Sequence, residues 1–154
     1  MKEKIKVQRY ERLYKQIAEL LKKSNDTTAQ MATVSAVLYH KMNYFFWCGF
    51  YKAEAENLVV ITYQGPLACQ LLPKNRGVCW SAVNNNITII VPDVHDFPGH
   101  IACDSRSRSE IVVPVLNRQG KPVAVLDIDS KEVNSFDETD ALYLEKIVAL
   151  IHAE

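Results

Sequence analysis

The chain has 154 residues, 48% hydrophobic and 23% charged, ordinary proportions for one globular domain with a core of its own. Its 18 basic and 18 acidic residues cancel, so no overall field favours nucleic acid or an anionic membrane as partner. No apolar run approaches a membrane span and the opening stretch MKEKIKVQRYERLYKQ has no signal-peptide core, which makes a cytoplasmic location the expectation.

Apolar residues at Leu13, Ile17, Leu20 and Leu21 recur at helical spacing with charges opposite, predicting an N-terminal helix over about residues 5–23. KKSNDTT breaks it and offers Asp26, Thr27 or Thr28 as the next N-cap, ahead of a second helix through AQMATVSAVLYHKM. YFFWCGFYKA and LVVITYQ, rich in aromatic and β-branched residues and joined by polar EAEN, read as a hairpin. GPLACQLLPKNRGVC reads as loop, VCWSAVNNN as a short helix and ITIIV as a strand.

The stretch PDVHDFPGHIACDSRSRSE follows, irregular by its prolines and glycine and dense in titratable groups. EIVVPVLNRQGKPVAVLDID is a second hairpin turning at NRQG. FDETDALYLEKIVALIHAE closes the chain as an amphipathic helix, acidic in its first turn and apolar along Leu142, Leu144, Ile147, Val148 and Ile151. Two hairpins in sequence imply a central antiparallel sheet with helices packed on it, an α+β fold.

In a reducing compartment four cysteines point to buried thiols, metal ligands or redox catalysis rather than to a structural disulfide framework. Cys48 lies in an aromatic strand and reads as a small buried hydrophobe. Cys69, Cys79 and Cys103 fall in the irregular half of the chain. Zinc held by these three with His95 or His100 is disfavoured, since no short CxxC-type pair occurs. Separated loop cysteines can instead serve as nucleophile and resolving thiol, the first becoming a sulfenic acid that the second condenses to a disulfide.

Asp127 and Asp129 are two apart near a strand end and share a face, leaving Leu126 and Ile128 for the core. Glu110 opens the partner strand of the same hairpin. The three either converge on one cluster, able to hold an amine or keep a proton, or form a solvated strand terminus. His95 and His100 read as loop-fixing hydrogen bonders. Trp47 and Tyr51 are four apart on one strand face, as core packing or as the wall of an apolar subsite.

PDVHDFPGHIACDSRSRSEIVVP, together with VLDIDS, RGVC and WCGFY, resembles the free methionine-(R)-sulfoxide reductase family, which is built on a GAF domain. The resemblance runs from about Lys2 to Ile151 and implies one GAF-like catalytic domain over residues 1–154. It implies that Cys103 is the catalytic thiol, that Cys69 resolves it, and that Cys79 is a third cysteine near the substrate able to join disulfide exchange. It implies Glu110, Asp127 and Asp129 as acidic site residues and Trp47 and Tyr51 as an aromatic pocket. Trp80 and Ser81 after Cys79 depart from the family pattern.

The activity so implied is thiol-dependent reduction of free L-methionine-(R)-sulfoxide, with no metal or other cofactor and a thioredoxin-type protein as reductant. A homodimer is compatible with it. The rival expectation is a GAF-type sensory module that binds a small ligand without chemistry, but such modules travel with effector domains for which this chain has no room.

Overall fold

The computed structural model describes residues 1–154. Helix α1 (Glu3–Leu21) buries Tyr10, Leu13, Ile17 and Leu21 along one stripe. Leu20, expected on that stripe, is exposed; Tyr10 takes its place, because steps of three and four residues from Tyr10 lead to Leu13, Ile17 and Leu21 and pass Leu20 by. The helix starts and ends about two residues earlier than its periodicity predicts, an ordinary uncertainty for frayed ends. Of the three capping choices for α2 (Thr27–Lys41), Asp26 is the one used, its carboxylate accepting from the Ala29 N–H at 2.8 Å.

Strands β1 (Trp47–Ala53) and β2 (Asn57–Gln64) form the first hairpin, and β5 (Ser109–Leu116) and β6 (Pro122–Ser130) the second. Two short strands, β3 (Leu71–Pro73) and β4 (Ile89–Val91), complete an antiparallel sheet of order β3-β2-β1-β6-β5-β4. β3 corrects the expectation of an unbroken loop before Cys79: Leu72 is buried and pairs with Leu58. Three residues are too few to show alternation in a sequence. Helix α3 (Gly77–Asn85) and a 3₁₀ turn at Val94–Asp96 lie between β3 and β5, and α4 (Glu138–Val148) follows β6.

The period of two along each strand separates two cores. Cys48, Phe50, Ile111, Val113, Leu126 and Ile128 point to one face and meet α1, α2 and α4 in the larger cluster. Trp47, Tyr51, Val91, Val112 and Val125 point to the other, where α3 with Val78, Cys79 and Trp80 covers them. On α4, Leu142 is exposed where the sequence placed it in the apolar face, and Ala141 is buried instead; Ile151 is buried beyond the helix end. No helix is long and apolar enough to cross a membrane.

One ionic network sits inside the larger core. Asp140 is wholly buried and accepts from Lys6 Nζ at 2.7 Å, Tyr10 Oη at 2.6 Å, Tyr44 Oη at 2.5 Å and the Asp137 N–H at 2.8 Å. The last bond is half of a capping box, since Asp137 in turn accepts from the N–H groups of Thr139 and Asp140. Burial acts to lower the Lys6 pKa, but hydrogen bonding and attraction to Asp140 and Asp137 outweigh it and raise it. A single carboxylate thus ties α1, the loop at Tyr44 and the start of α4 together.

Removing one partner of such a pair strands the other in the core. Asp140→Ala is expected to cost about 3–5 kcal/mol in urea unfolding, and Lys6→Met combined with Asp140→Leu to recover only the part due to the stranded ammonium, since Tyr10 and Tyr44 still lose their acceptor. A loss below about 1 kcal/mol for Asp140→Ala would mean that the network behaves like an exposed pair.

Candidate active site

The smaller face of the sheet is polar at one end because of strand register. Trp47, Asp129, Glu110 and Val91 stand side by side across β1, β6, β5 and β4, and Gly49, Asp127, Val112 and Ile89 form the next row. Glu110 and Asp129 are therefore direct cross-strand partners, with Asp127 diagonal to Glu110 on the same face. Both Glu110 and Asp127 are buried and Asp129 is half-buried, which excludes the solvated strand terminus.

Gly49 completes the floor. A Cβ there would lie 2.4 Å from Tyr63 Cβ and 2.7 Å from Trp47 Cη2. Its absence lets the Trp47 ring lie over β1, stacked on Tyr51 at 5.8 Å and on Tyr63 at 5.3 Å between ring centroids.

Helix α3 forms the roof. Gly77 begins it at φ +82°, a conformation that favours glycine, and packs close to Ile101. The turn brings Cys79 onto the acidic cluster: its sulfur and one carboxylate oxygen each of Glu110 and Asp127 lie within 4.8 Å of one another. Arg76, at the N-cap, makes no side-chain capping bond, and Arg76, Gly77, Val78 and Cys79 line the site.

The stretch from Pro92 to Arg108 forms the third wall. It is pinned at its ends by Val94 N–H to Arg108 O and Arg108 N–H to Ser130 O, both 2.8 Å. Asp104 accepts from the backbone N–H of Arg106 at 2.9 Å and from its guanidinium at 3.0 and 2.7 Å. Those bonds hold the Asp104 carboxyl low, at about 2. The Arg106 guanidinium lies over the Phe46 ring at 4.9 Å. Cys103 precedes this turn and is joined to Cys69 by a disulfide with Cα atoms 5.4 Å apart. Tyr51 Oη donates to the Cys69 carbonyl at 3.0 Å, tying the second cysteine's loop to the aromatic floor.

One cavity results, lined by Trp47, Tyr51, Cys79, Cys103, Glu110, Asp127 and Asp129 among others. Of the catalytic and substrate-binding residues that the family resemblance implies, only Cys69 is outside the lining, where its neighbour Ala68 stands, and Cys69 reaches the site through its bond to Cys103. His100 corrects the sequence reading. It is not merely a loop support: its side chain is largely buried in the cavity wall, with Nε2 3.6 Å from Glu110 Oε1. The His95 side chain is exposed, with Nδ1 3.6 Å from Asp93 Oδ1, and it is the His95 backbone N–H that donates to Asp93, at 3.1 Å. Arg76 and Asp104 also line the cavity and were missed. Their signal was adjacency, Arg76 to the RGVC turn and Asp104 to Cys103, but charged loop residues are mostly solvated. Cys48 lies buried on the opposite face, and burial raises its thiol pKa.

The electrostatics follow from burying like charges. Burial first and the charge of Asp129 second push the Glu110 carboxyl up to about 8. Burial and its acidic neighbours likewise raise Asp127 and Asp129 well above the usual carboxylate range. The Cys79 thiol is raised by burial and then by Asp127 and Glu110, whereas burial lowers His100. At neutral pH the cluster therefore keeps protons that exposed carboxylates would have lost. Two buried polar atoms in the cavity wall, Trp47 Nε1 and Asp127 Oδ1, have no hydrogen-bond partner. One is a donor and one an acceptor, so a bound polar ligand can satisfy both.

The GAF domain family model matches residues 22–153. The chain is 50% identical, over 95% of its length, to GAF domain-containing protein A of Dictyostelium discoideum, of which it covers 92%. It is 43% identical, over 79% of its length, to the free methionine-R-sulfoxide reductase of Escherichia coli, of which it covers 73%. The solved structure of free methionine-R-sulfoxide reductase from Neisseria meningitidis in complex with its substrate superposes with a TM-score of 0.87 at 43% identity, over 92% of this chain and 84% of that one. A GAF fold with a redox-capable cysteine pair against a proton-holding acid cluster thus carries close likeness to these enzymes, and the chain belongs to the free methionine-R-sulfoxide reductase family.

Proposed function

We propose that this enzyme reduces free L-methionine-(R)-sulfoxide to methionine through a sulfenic acid on Cys103, resolved as a disulfide by Cys69 and reset by a thioredoxin-type reductant. The observation that carries this reading is the Cys69–Cys103 disulfide beside a buried acid, Glu110, that retains its proton at neutral pH.

In the reduced enzyme the Cys103 thiolate attacks the sulfoxide sulfur. That sulfur is a poor electrophile until its oxygen is protonated or strongly hydrogen-bonded, the role of Glu110 with its cross-strand partner Asp129. Asp127, with its unpartnered Oδ1, accepts from the substrate ammonium. The open N-terminus of α3 and Arg76 face the α-carboxylate. Trp47 and Tyr51 flank the S-methyl group, and placing that group on one side selects the epimer.

Oxygen passes to Cys103, leaving a sulfenic acid, and methionine departs. The Cys69 thiol then attacks the Cys103 sulfur; the S–S bond forms, water leaves, and the two thiols have supplied the two electrons. Cys79, kept protonated by burial, is a weak nucleophile at neutral pH and fits a reserve role in disulfide exchange. Binding both ends of the amino acid would exclude a peptide-bound residue, whose ammonium and carboxylate are gone. A cytoplasmic reductant suits a disulfide that must open once per cycle.

Cys103→Ser is expected to abolish methionine formation altogether. Cys69→Ser should still release methionine once per chain in a rapid-quench assay but fail to turn over with thioredoxin. Intact steady-state recycling in that variant would make Cys79 the resolving thiol.

The pH dependence has a definite sign. Glu110, with a pKa of about 8, is protonated at pH 7 and loses its proton as the pH rises through that value, so proton donation fails on the alkaline side. Single-turnover reduction by the Cys69→Ser enzyme should fall above this pH. Glu110→Gln should slow the step roughly 10²–10⁴-fold and flatten the alkaline limb. An unchanged limb in Glu110→Gln would assign the proton to another group.

A further inference from the structure

We propose that Cys79, Glu110 and Asp127, with His100 as fourth ligand, form a binding site for a divalent cation of the zinc class. The three ligand atoms of Cys79, Glu110 and Asp127 already lie within 4.8 Å of one another; His100 stands outside that group, with Nε2 3.6 Å from Glu110 Oε1. In a tetrahedral zinc site with bonds of about 2.0–2.3 Å, ligand atoms stand roughly 3.3–3.8 Å apart, so these three need only contract on the ion while His100, on its irregular segment, swings in as the fourth. The second, independent observation is Asp127 Oδ1, buried in the wall of this cavity without a hydrogen-bond partner.

The donor set decides which cation. One thiolate, one imidazole and two carboxylates form a borderline set that suits zinc or cobalt, whereas magnesium and calcium take oxygen throughout. Three of the four ligands stand on regular elements, Cys79 on α3, Glu110 on β5 and Asp127 on β6, which holds them without a metal. This is not the zinc set weighed from the sequence: Cys69 and Cys103 are bonded to each other, and Cys48 is on the opposite face of the sheet. In the disulfide form Cys79 is thus the one thiol in the cavity able to bind a metal. A cation there would occupy the place of the substrate ammonium, a consequence that rests on the proposed function; the binding itself does not.

The test titrates the full-length disulfide form with Co²⁺ and follows its absorption spectrum. One Co²⁺ per chain should bind with a thiolate-to-cobalt charge-transfer band, and Zn²⁺ should displace it. Cys79→Ser should lose that band and weaken binding at least about 100-fold, more than the loss of an outer-shell partner costs, while Cys48→Ala should keep both. X-ray absorption of the wild-type zinc complex, which needs no variant to fold, should give one sulfur with nitrogen and oxygen neighbours. Absence of the band in the wild type, its survival in Cys79→Ser, or a zinc shell without sulfur would overturn the proposal.

Discussion

Three carboxylates, Glu110, Asp127 and Asp129, are pressed together on one face of a sheet where water cannot fully solvate them. The register of β5 against β6 sets their backbones side by side with the side chains on one face, so burial and mutual repulsion are built into the sheet. The relief comes from protons. Folding takes up a proton at Glu110, whose pKa rises from an ordinary 4.5 to about 8, so the stability of the folded state falls as the pH climbs between those values. This is a site held against the interest of the fold, as functional sites commonly are.

The rest of the molecule reads as support for that arrangement. The larger core, with α1, α2 and α4 on the opposite face, carries most of the buried apolar side chains and the Asp140 network. It leaves the smaller face free to be polar. There, in the mechanism we propose, the same acidity would retain a proton for the sulfoxide oxygen and attract an ammonium group, and with burial it raises the Cys79 thiol. On that proposal one electrostatic condition serves proton donation, substrate placement and protection of a third cysteine.

Much of this was legible in the residues. Alternation in VLDID correctly set Leu126 and Ile128 in the core and the aspartates together, and the hairpin placed Glu110 opposite them, because a period of two leaves no freedom. What periodicity could not decide was whether those acids met solvent or a roof; α3, which covers them, is contributed by a segment some thirty residues away along the chain (Gly77–Asn85 against Glu110). The pairing of Cys69 with Cys103 came from family resemblance, since spacing alone does not choose among cysteines. β3 was too short to signal itself, Leu20 and Leu142 were misassigned by one helical step, and His100 reads as a loop support because a loop histidine gives no sign of what it faces.

The central claim is that this cavity transfers oxygen from a free amino acid sulfoxide to Cys103 and ends in the Cys69–Cys103 disulfide. It is tested most directly by mixing fully reduced protein, without any added reductant, with each epimer of free methionine sulfoxide and with the N-acetylated R epimer, then counting methionine and mapping the disulfide by mass spectrometry. The account predicts about one methionine per chain from the free R epimer alone, with Cys69 and Cys103 joined. Equal reduction of the S epimer or of the blocked compound, or methionine formed while both thiols remain free, would contradict it.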